Sequence, residues 1–224
     1  MAAPVAPAGA TVHMPVFAGT WTTLMQIDFS NLAPVEAYRW LASTITPRPI
    51  AWVSTVSSEG VSNLAPFSFF QVISSDPATL LINVGLKDGV LKDTARNARD
   101  TGELIVQLVS ADQAEAMNAS AAVLAHGVSE FEHCAIASEP ASRVRPPRVA
   151  GAPVAFECRV AQILPYPPQA PNCQLIFAEV LVAHIDDSVL DGSGRIDAAR
   201  LDVVGRLGGS HYSFTRDRFQ LQLP

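Results

Sequence analysis

Between residues 50 and 84 the sequence consists of short apolar runs separated by tight turns, with no helical segment between them. Residues 50–56 are dense in β-branched and aromatic side chains and end at a turn, Ser57-Ser58-Glu59-Gly60. Further strands are predicted over residues 61–65, 66–73 and 78–84. Strands joined this closely pair antiparallel, because a parallel pair needs a crossover of about a dozen residues or more. This stretch therefore predicts an antiparallel sheet.

The other segments add helices and long strands around this sheet. Helices are predicted over residues 34–41, 91–99 and 111–124, and strands over residues 27–29, 103–109, 154–164 and 174–185. Ser110 is predicted to be the N-cap of the third helix. Strands in this number with two or three helices predict a mainly β (α+β) domain, an antiparallel closed or half-closed barrel with a few peripheral helices.

The length and the N-terminal composition indicate one domain with an extension. A chain of 224 residues fits one globular domain. Residues 1–24 are rich in Ala, Pro, Gly and Thr and contain no Lys or Arg, so they lack the positive segment that opens a secretory signal. We expect a flexible extension over residues 1–24, a domain over residues 25–224 and a cytoplasmic location.

The composition argues against nucleic acid and membrane as partners and favours a second subunit. The net charge is −6 and the 15 Lys and Arg residues are scattered, which argues against nucleic acid. The apolar runs are far shorter than the roughly 20 residues that cross a bilayer. Charged residues make up only 16% of the chain, which favours apolar surface covered by a second subunit. Cys134, Cys158 and Cys173 are widely spaced and are interpreted as free thiols.

Several kinds of catalytic chemistry have no motif in this sequence. There is no GxGxxG at the start of a helix, no P-loop and no nucleophile elbow. The five His residues form neither HExxH nor a Cys/His metal spacing, so no metal site is expected.

Two segments combine a rigid backbone with groups that suit a flat ligand. Arg48 stands between two prolines at the entrance to an apolar strand. A guanidinium held so rigidly suits a phosphate or an electron-rich ring, and a surface ion pair is the alternative. In residues 62–70, Asn63 and Ser68 alternate with aromatic rings. Such a segment offers flat walls and hydrogen bonds to an isoalloxazine ring, although an ordinary core strand would have a similar pattern.

Two further segments suit an anion or a close backbone contact. Residues 87–97 run from a strand end into a helix start and contain two Lys and a Thr. The free N–H groups of a helix N-terminus favour a phosphate there, and simple capping by Asp88 or Asp93 is the alternative. Residues 205–212 contain three glycines, which let the backbone approach a ligand closely. A surface loop is the alternative for that segment.

These segments together resemble a known family. The runs TPRPIAWVSTVSSEGVSNLAPFSFF, SSDPATLLINVG, KDTARNA and GRLGGSHY resemble the flavin reductase-like, FMN-binding split-barrel family, in particular its flavoredoxin-like branch. The resemblance covers residues 25 to about 216. It implies an antiparallel split β-barrel and a homodimer with two FMN sites at the subunit interface.

The resemblance also implies residue roles. The flavin ring is expected against residues 63–70 and the phosphate near residues 87–97 with help from Arg48. The loop over residues 206–212 is expected near the flavin, from the same or the partner subunit. The FMN-binding candidates are Thr46, Arg48, Pro49, Asn63, Leu64, Ala65, Ser68, Phe69, Phe70, Lys87, Lys92, Asp93, Thr94, Asn97, Arg206 and Tyr212. His211 is the only titratable candidate for a catalytic role.

The implied function is that of an NAD(P)H-dependent flavin oxidoreductase. Hydride would pass from NAD(P)H to FMN, and electrons would pass on to free flavin, oxygen, or an electron-transfer or monooxygenase partner. Better-known two-component reductases of the family have a Gly-Asp-His element where this chain has Asn172-Cys173-Gln174. That difference favours an alternative, a flavoredoxin-like electron carrier without its own nicotinamide site. A β-barrel module that binds another flat ligand, such as haem or a deazaflavin, is the third possibility.

Overall fold

The computed structural model describes residues 24–222, and every strand ladder in that part of the chain is antiparallel. The strands are β1 (Arg48–Pro49), β2 (Ala51–Val56), β3 (Ser62–Phe67), β4 (Phe70–Ser75), β5 (Ala78–Gly85), β6 (Glu103–Gln107), β7 (Ser138–Glu139), β8 (Arg148–Val149), β9 (Val154–Tyr166), β10 (Cys173–Ile185), β11 (Val204–Arg206) and β12 (Tyr212–Phe214). The α-helices are α1 (Pro34–Thr44), α2 (Asp93–Thr101), α3 (Ala114–Ala119), α4 (Glu130–His133) and α5 (Ala198–Leu201). No helix between residues 24 and 222 is long and apolar enough to cross a bilayer.

One large sheet forms the body of the domain. Its seven strands lie in the order β3-β2-β6-β9-β10-β5-β4. A second sheet, β1-β11-β12, joins the segment just before β2 to the C-terminal part of the chain. Its register places Arg48 opposite Arg206 and Pro49 opposite Gly205. Residues that are far apart in sequence therefore meet beside the entrance to the main sheet.

The structure confirms most of the predicted elements. Strands β2, β3, β5, β6, β9 and β10 and helices α1 and α2 lie close to their predicted positions. The predicted mainly antiparallel architecture with peripheral helices is confirmed as well. Of the predicted N-terminal extension, residues 1–24, all but Leu24 lies outside the described residues.

Three predicted elements were wrong. The strand over residues 66–73 is interrupted at Ser68 and Phe69, so β3 and β4 are separate strands. The segment at residues 27–29 is not a strand; a 3₁₀ helix, Phe29–Asn31, begins there because the Asp28 carboxylate accepts a hydrogen bond from the Ser30 N–H at 2.9 Å. The helix over residues 111–124 comprises a 3₁₀ turn and α3, and it ends before Ser120.

Ser120 accounts for that early end. Its Oγ accepts a hydrogen bond from Trp52 Nε1 at 2.9 Å and donates to the Met117 carbonyl at 2.8 Å. Trp52 is fully buried, so its indole N–H needs a partner inside the protein. This tertiary contact outweighs the helix propensity of the alanines that follow, and residues 120–128 become a loop.

The strand β2 is buried on both faces and separates two parts of the core. Ala51 and Val53 face one cluster with residues of β5, β6, β9, β10 and α2. Trp52 faces the other cluster, with Leu64, Met117 and Phe131. The alternation follows from the two-residue period of a strand. It fixes the position of β2 and of its partner β3 relative to α2.

Glu157 of β9 is a fully buried carboxylate that ties a loop to the sheet. It accepts hydrogen bonds from the backbone N–H groups of Ser142, Arg143 and Val144 at 2.8, 2.6 and 3.2 Å, and it contacts His184 Nε2. Burial alone would raise the pKa of Glu157, but the hydrogen bonds from Ser142, His184 and Arg143 outweigh it and lower the pKa to about 2.

We expect Glu157→Gln to lower the free energy of unfolding by about 3 kcal/mol at pH 7, because buried donors lose a charged acceptor. A carboxyl with a lowered pKa stabilises the fold above its ordinary pKa of 4.5, and that contribution disappears as pH falls toward about 2. Urea denaturation at pH 7 and pH 3 should therefore show a smaller difference from wild type at pH 3. Glu139→Gln, an exposed carboxyl paired with Arg148, is the control. An equal difference at both pH values would contradict this account.

Candidate functional site

A cleft of about 420 Å³ lies between β3, the start of α2 and the loop over residues 120–126. Asn63, Ala65, Pro66 and Phe67 form the β3 wall, and Phe67 contributes an aromatic ring. The predicted candidates that line the cleft are Asn63, Ala65, Lys87, Lys92, Asp93 and Thr94. The two segments that predicted a ring site and a phosphate site therefore face the same space.

The N-terminus of α2 opens into this cleft without a cap. Lys92 is the N-cap residue and its side chain makes no capping hydrogen bond. The first intrahelical bond is donated by the Arg96 N–H to the Lys92 carbonyl at 3.0 Å. The N–H groups of Asp93, Thr94 and Ala95 have no acceptor among residues 24–222. Such unpaired donors and the helix dipole favour an anion at this point.

A buried network of polar side chains supports this helix start. Asn63 Nδ2 donates to Thr94 Oγ1 at 3.0 Å and to Thr55 Oγ1 at 3.2 Å. Asn97 Nδ2 lies 3.1 Å from the same Thr55 oxygen. All four residues are nine-tenths buried or more. Because Thr94 accepts from Asn63, its own hydroxyl hydrogen is available to an acceptor in the cleft. Asn97 itself lies behind the cleft and does not line it.

Two lysines supply positive charge at the mouth of the cleft. Lys87 and Lys92 are exposed, and neither forms an ion pair within the described part of the chain. The Lys92 ammonium lies 6.0 Å from the centre of the Phe67 ring. Together with the helix start, they make one side of the cleft attractive to a phosphate.

Asp93 was predicted to cap α2 or to bind the cofactor, but in the structure its carboxylate pairs with Arg96 and His126. Its Oδ1 accepts from Arg96 Nη1 at 2.7 Å and lies 2.6 Å from His126 Nδ1. These contacts hold the loop over residues 120–128 against α2, so Asp93 neither caps the helix nor presents its carboxylate freely to the cleft. Its assignment as a cofactor ligand remains a prediction.

Glu130 is a cleft residue that no sequence motif indicated. It is buried, and its carboxylate accepts the Leu64 N–H at 2.8 Å. Burial raises the pKa of Glu130, and the nearby Asp93 charge adds to the effect. This contact uses the backbone donor of Leu64, a predicted ligand, at the edge of β3. No local pattern indicates it, because the two residues are joined only by the fold.

Arg48 lies away from this cleft, with four of its five N–H donors occupied. Its Nη1 donates to the carbonyls of Ala42 and Ile45 at 2.5 and 2.8 Å, and its Nη2 donates to the Leu207 carbonyl at 3.0 Å. Nε donates to Ser68 Oγ at 3.3 Å. The guanidinium therefore joins the end of α1 to the loop after β11. A phosphate role for Arg48 remains a prediction that this arrangement does not favour.

A second group of candidates surrounds Arg48. Ser68, Phe69 and Arg206 lie beside it, and the Arg48 guanidinium is 5.6 Å from the centre of the Phe69 ring. Tyr212 packs under Arg206, with 4.5 Å between the guanidinium carbon and the ring centre. Of the remaining candidates, Thr46 is exposed just before β1, Pro49 is exposed within β1, and Phe70 packs against the core.

His211, the catalytic candidate, is exposed in the loop between β11 and β12. Its Nδ1 lies 3.3 Å from the Gly208 carbonyl. His211 lines neither the cleft nor the smaller cavity beside Arg48. A role at a ligand in the cleft would require this loop to reach the cleft of another subunit.

Comparison with known proteins identifies relatives of this chain. The family model described as "Flavin reductase like domain" matches residues 43–199. Nitrilotriacetate monooxygenase component B from Bacillus cereus is 30% identical with a TM-score of 0.85, over 89% of this chain and 100% of that one. The 2-nitrobenzoate 2-nitroreductase NbaA of Pseudomonas fluorescens is 29% identical with a TM-score of 0.81, over 89% and 96% of the two chains.

A third structure confirms the predicted split barrel. A protein with a split barrel domain from Shewanella frigidimarina has a TM-score of 0.75 over 87% of this chain and 96% of its own. At 17% identity this likeness concerns the fold alone.

Proposed function

Since the chain belongs to the flavin reductase-like family, we propose that it binds one FMN per subunit and passes electrons from NADH or NADPH through it to an acceptor. The uncapped start of α2 carries the proposal, because its free N–H groups open into a cleft beside two unpaired lysines and the Thr94 hydroxyl. A volume of about 420 Å³ lies within the range of cofactor pockets, about 300–1,000 Å³.

The phosphate of FMN fits the α2 side of the cleft. The N–H groups of the first turn, the Thr94 hydroxyl and the ammonium groups of Lys87 and Lys92 would hold it. Asn63 fixes the Thr94 side chain so that its hydroxyl hydrogen remains available. Charge-assisted hydrogen bonds of this kind are about twice as strong as neutral ones.

The flavin ring fits the β3 side. Ala65, Pro66 and Phe67 give an apolar wall, which suits a flat ring and excludes water from one of its faces. The flavin, when bound, supplies the chemistry of two-electron transfer with a nicotinamide. The protein's part is to bind, orient and shield the reacting ring, and the hydride step requires no side-chain acid or base. His211 would take part only from a partner subunit.

We further propose that the protein is a homodimer. Val35 and Leu41 on α1, Ile45 just after it, and Val72 and Ile73 on the edge strand β4 are 45–64% exposed. Tyr38 of α1 and Phe69 beside β4, with ring centres 6.0 Å apart, connect the two groups. An apolar surface of this kind is typical of an interface.

We also propose a cytoplasmic location. An oxidoreductase of this type in the cytoplasm would keep its three cysteines as thiols.

The acceptor is proposed to be free flavin, oxygen or a partner protein. The similarity to a monooxygenase component B supports a monooxygenase as a partner that uses the reduced flavin. The similarity to a nitroreductase supports direct reduction of a small aromatic acceptor as a second candidate.

An electron carrier without a nicotinamide site is the competing function. The segment Asn172-Cys173-Gln174, at the start of β10, supports it. Cys173 is buried, and its thiol lies 3.5 Å from the Tyr166 carbonyl. Burial raises the pKa of Cys173, so a packed thiol is the interpretation we adopt for it.

Anaerobic mixing of the FMN-loaded protein with NADH or NADPH decides between the two functions. A reductase should lose its yellow absorbance within minutes with at least one nucleotide. A carrier should keep it until a reduced protein donor is added. Persistence of the colour with both nucleotides would contradict the reductase proposal and leave FMN binding intact.

Thr94→Ala should weaken FMN binding by about 1–2 kcal/mol, because the phosphate loses a hydroxyl donor. Thr94→Ser keeps the hydroxyl and is the matched control. Quenching of flavin fluorescence on titration gives both dissociation constants. An alanine variant that binds FMN as tightly as the serine variant would place the phosphate elsewhere.

Val72→Glu should dissociate the dimer, because a carboxylate would be buried in an apolar interface. Size-exclusion chromatography with light scattering should give twice the mass of one chain for wild type and for the control Ile196→Glu, a partly exposed position outside α1 and β4. A wild-type protein that elutes with the mass of one chain would refute the dimer.

A further inference from the structure

A second cavity of about 230 Å³ lies between α1 and the segment that includes β11 and the following loop. Val35, Tyr38, Arg39 and Ser43 form the α1 wall, so the cavity adjoins the surface proposed above as the dimer interface. Arg206, Leu207 and Gly209 form the opposite wall, and Arg48 lies at the base, 7% exposed. None of these residues lines the flavin cleft proposed above. The two cavities are therefore distinct in the subunit.

Two glycines allow these walls to approach each other. A Cβ on Gly208 would lie 2.5 Å from Ser43 Oγ and 3.0 Å from Ser43 Cα. A Cβ on Gly205 would lie 2.8 Å from Pro47 Cβ. Only residues without a side chain fit at such distances. The proline-bracketed Arg48 segment and the glycine-rich loop therefore build this cavity jointly.

Three arginines and no acidic residue line this cavity in the described part of the chain. Arg39, Arg48 and Arg206 line it, and no Asp or Glu is among its lining residues between residues 24 and 222. None of the three forms an ion pair in that part of the chain. This is unusual in a chain with a net charge of −6. Burial lowers the pKa of Arg48, and the charge of Arg206 adds to that lowering.

Two of these cations are held in fixed positions. Arg48 is bound to three backbone carbonyls, and Arg206 is bound to the Gly209 carbonyl and the Tyr212 hydroxyl and stacks on the Tyr212 ring. Arg39 is exposed on α1 and makes no hydrogen bond to another described residue, so its donors are available. Arg48 and Arg206 donate hydrogen bonds within the protein and contribute fixed positive charge, whereas Arg39 offers free N–H donors, and together they favour an anion.

We propose that this arginine pocket binds the anionic group of the substrate that exchanges electrons with the flavin. The inference depends on the proposed function. A volume of about 230 Å³ is below that of pockets for whole ligands, so the pocket fits one phosphate or carboxylate group rather than a complete dinucleotide. The anion comes either from the phosphates of the nicotinamide dinucleotide or from the carboxylate of an aromatic acceptor. Tyr38 and Phe69, beside the pocket, suit the ring of either molecule.

Binding titrations of wild type, Arg39→Gln and Arg39→Glu test the pocket. NAD⁺, NADP⁺ and benzoate are titrated by calorimetry into FMN-loaded protein, with no turnover. We expect Arg39→Gln to weaken one class of anion about tenfold, and Arg39→Glu to weaken it further. Weaker binding of NAD⁺ or NADP⁺ would show that the pocket binds the electron donor. Weaker binding of benzoate would show that it binds the electron acceptor. Arg159→Gln, an exposed arginine paired with Glu179, is the control and should bind as wild type does.

Three results would overturn the proposal. The first is that wild type binds none of the probes, the second that both Arg39 variants bind the probes as tightly as wild type does, and the third that the Arg39 variants bind FMN itself with a higher dissociation constant. The last would assign the pocket to the flavin itself. If wild type binds no FMN at all, the proposed function fails instead. Titration of inorganic pyrophosphate into the flavin-free protein then tests the anion site independently of the flavin. Pyrophosphate binding that weakens in Arg39→Gln supports the site, and no pyrophosphate binding to wild type refutes it.

Discussion

The candidate site depends on a helix that begins without a cap. At the start of α2 the N–H groups of Asp93, Thr94 and Ala95 have no acceptor among the described residues, and Asp93 and Thr94 line the cleft. Unsatisfied donors at a partly buried helix end are costly unless water or a ligand pairs with them. The adjacent Lys87 and Lys92 add positive charge, so this side of the cleft favours a negatively charged group.

The surrounding fold holds this helix end in place. Strand β2 is buried on both faces, and its Thr55 connects Asn63 of β3 to Asn97 of α2 through hydrogen bonds. A buried polar network of this kind is stabilising only while its members stay paired. The position of Thr94 is therefore set by the hydrogen bonds of these buried side chains.

The positive groups of the sequence are divided between two places. Arg48 was expected to help hold a phosphate together with the lysines, yet its donors close the end of α1 and the loop after β11. Its neighbours there are Arg39 and Arg206, and these three cations face a separate cavity. The proposed oxidoreductase would need a place for each anionic partner, and this division would provide one cleft and one smaller pocket.

The sequence predicted the strands well because β2, β5, β9 and β10 follow a strong local pattern bounded by turns. It also predicted that Asn63, Lys87, Lys92 and Thr94 share one site. It could not predict the early end of α3, which results from a hydrogen bond between Ser120 and Trp52. The contact of Glu130 with the Leu64 N–H and the placement of Arg48 likewise depend on residues brought together only by folding.

The dissociation constants of FMN and riboflavin test the central claim most directly, since the two differ only in the phosphate. If the start of α2 and its two lysines hold that phosphate, FMN should bind at least about 100-fold more tightly, equivalent to about 2.7 kcal/mol, and salt should reduce the difference. Equal dissociation constants for the two flavins would contradict the account, because the cleft would then recognise the ring without the anion.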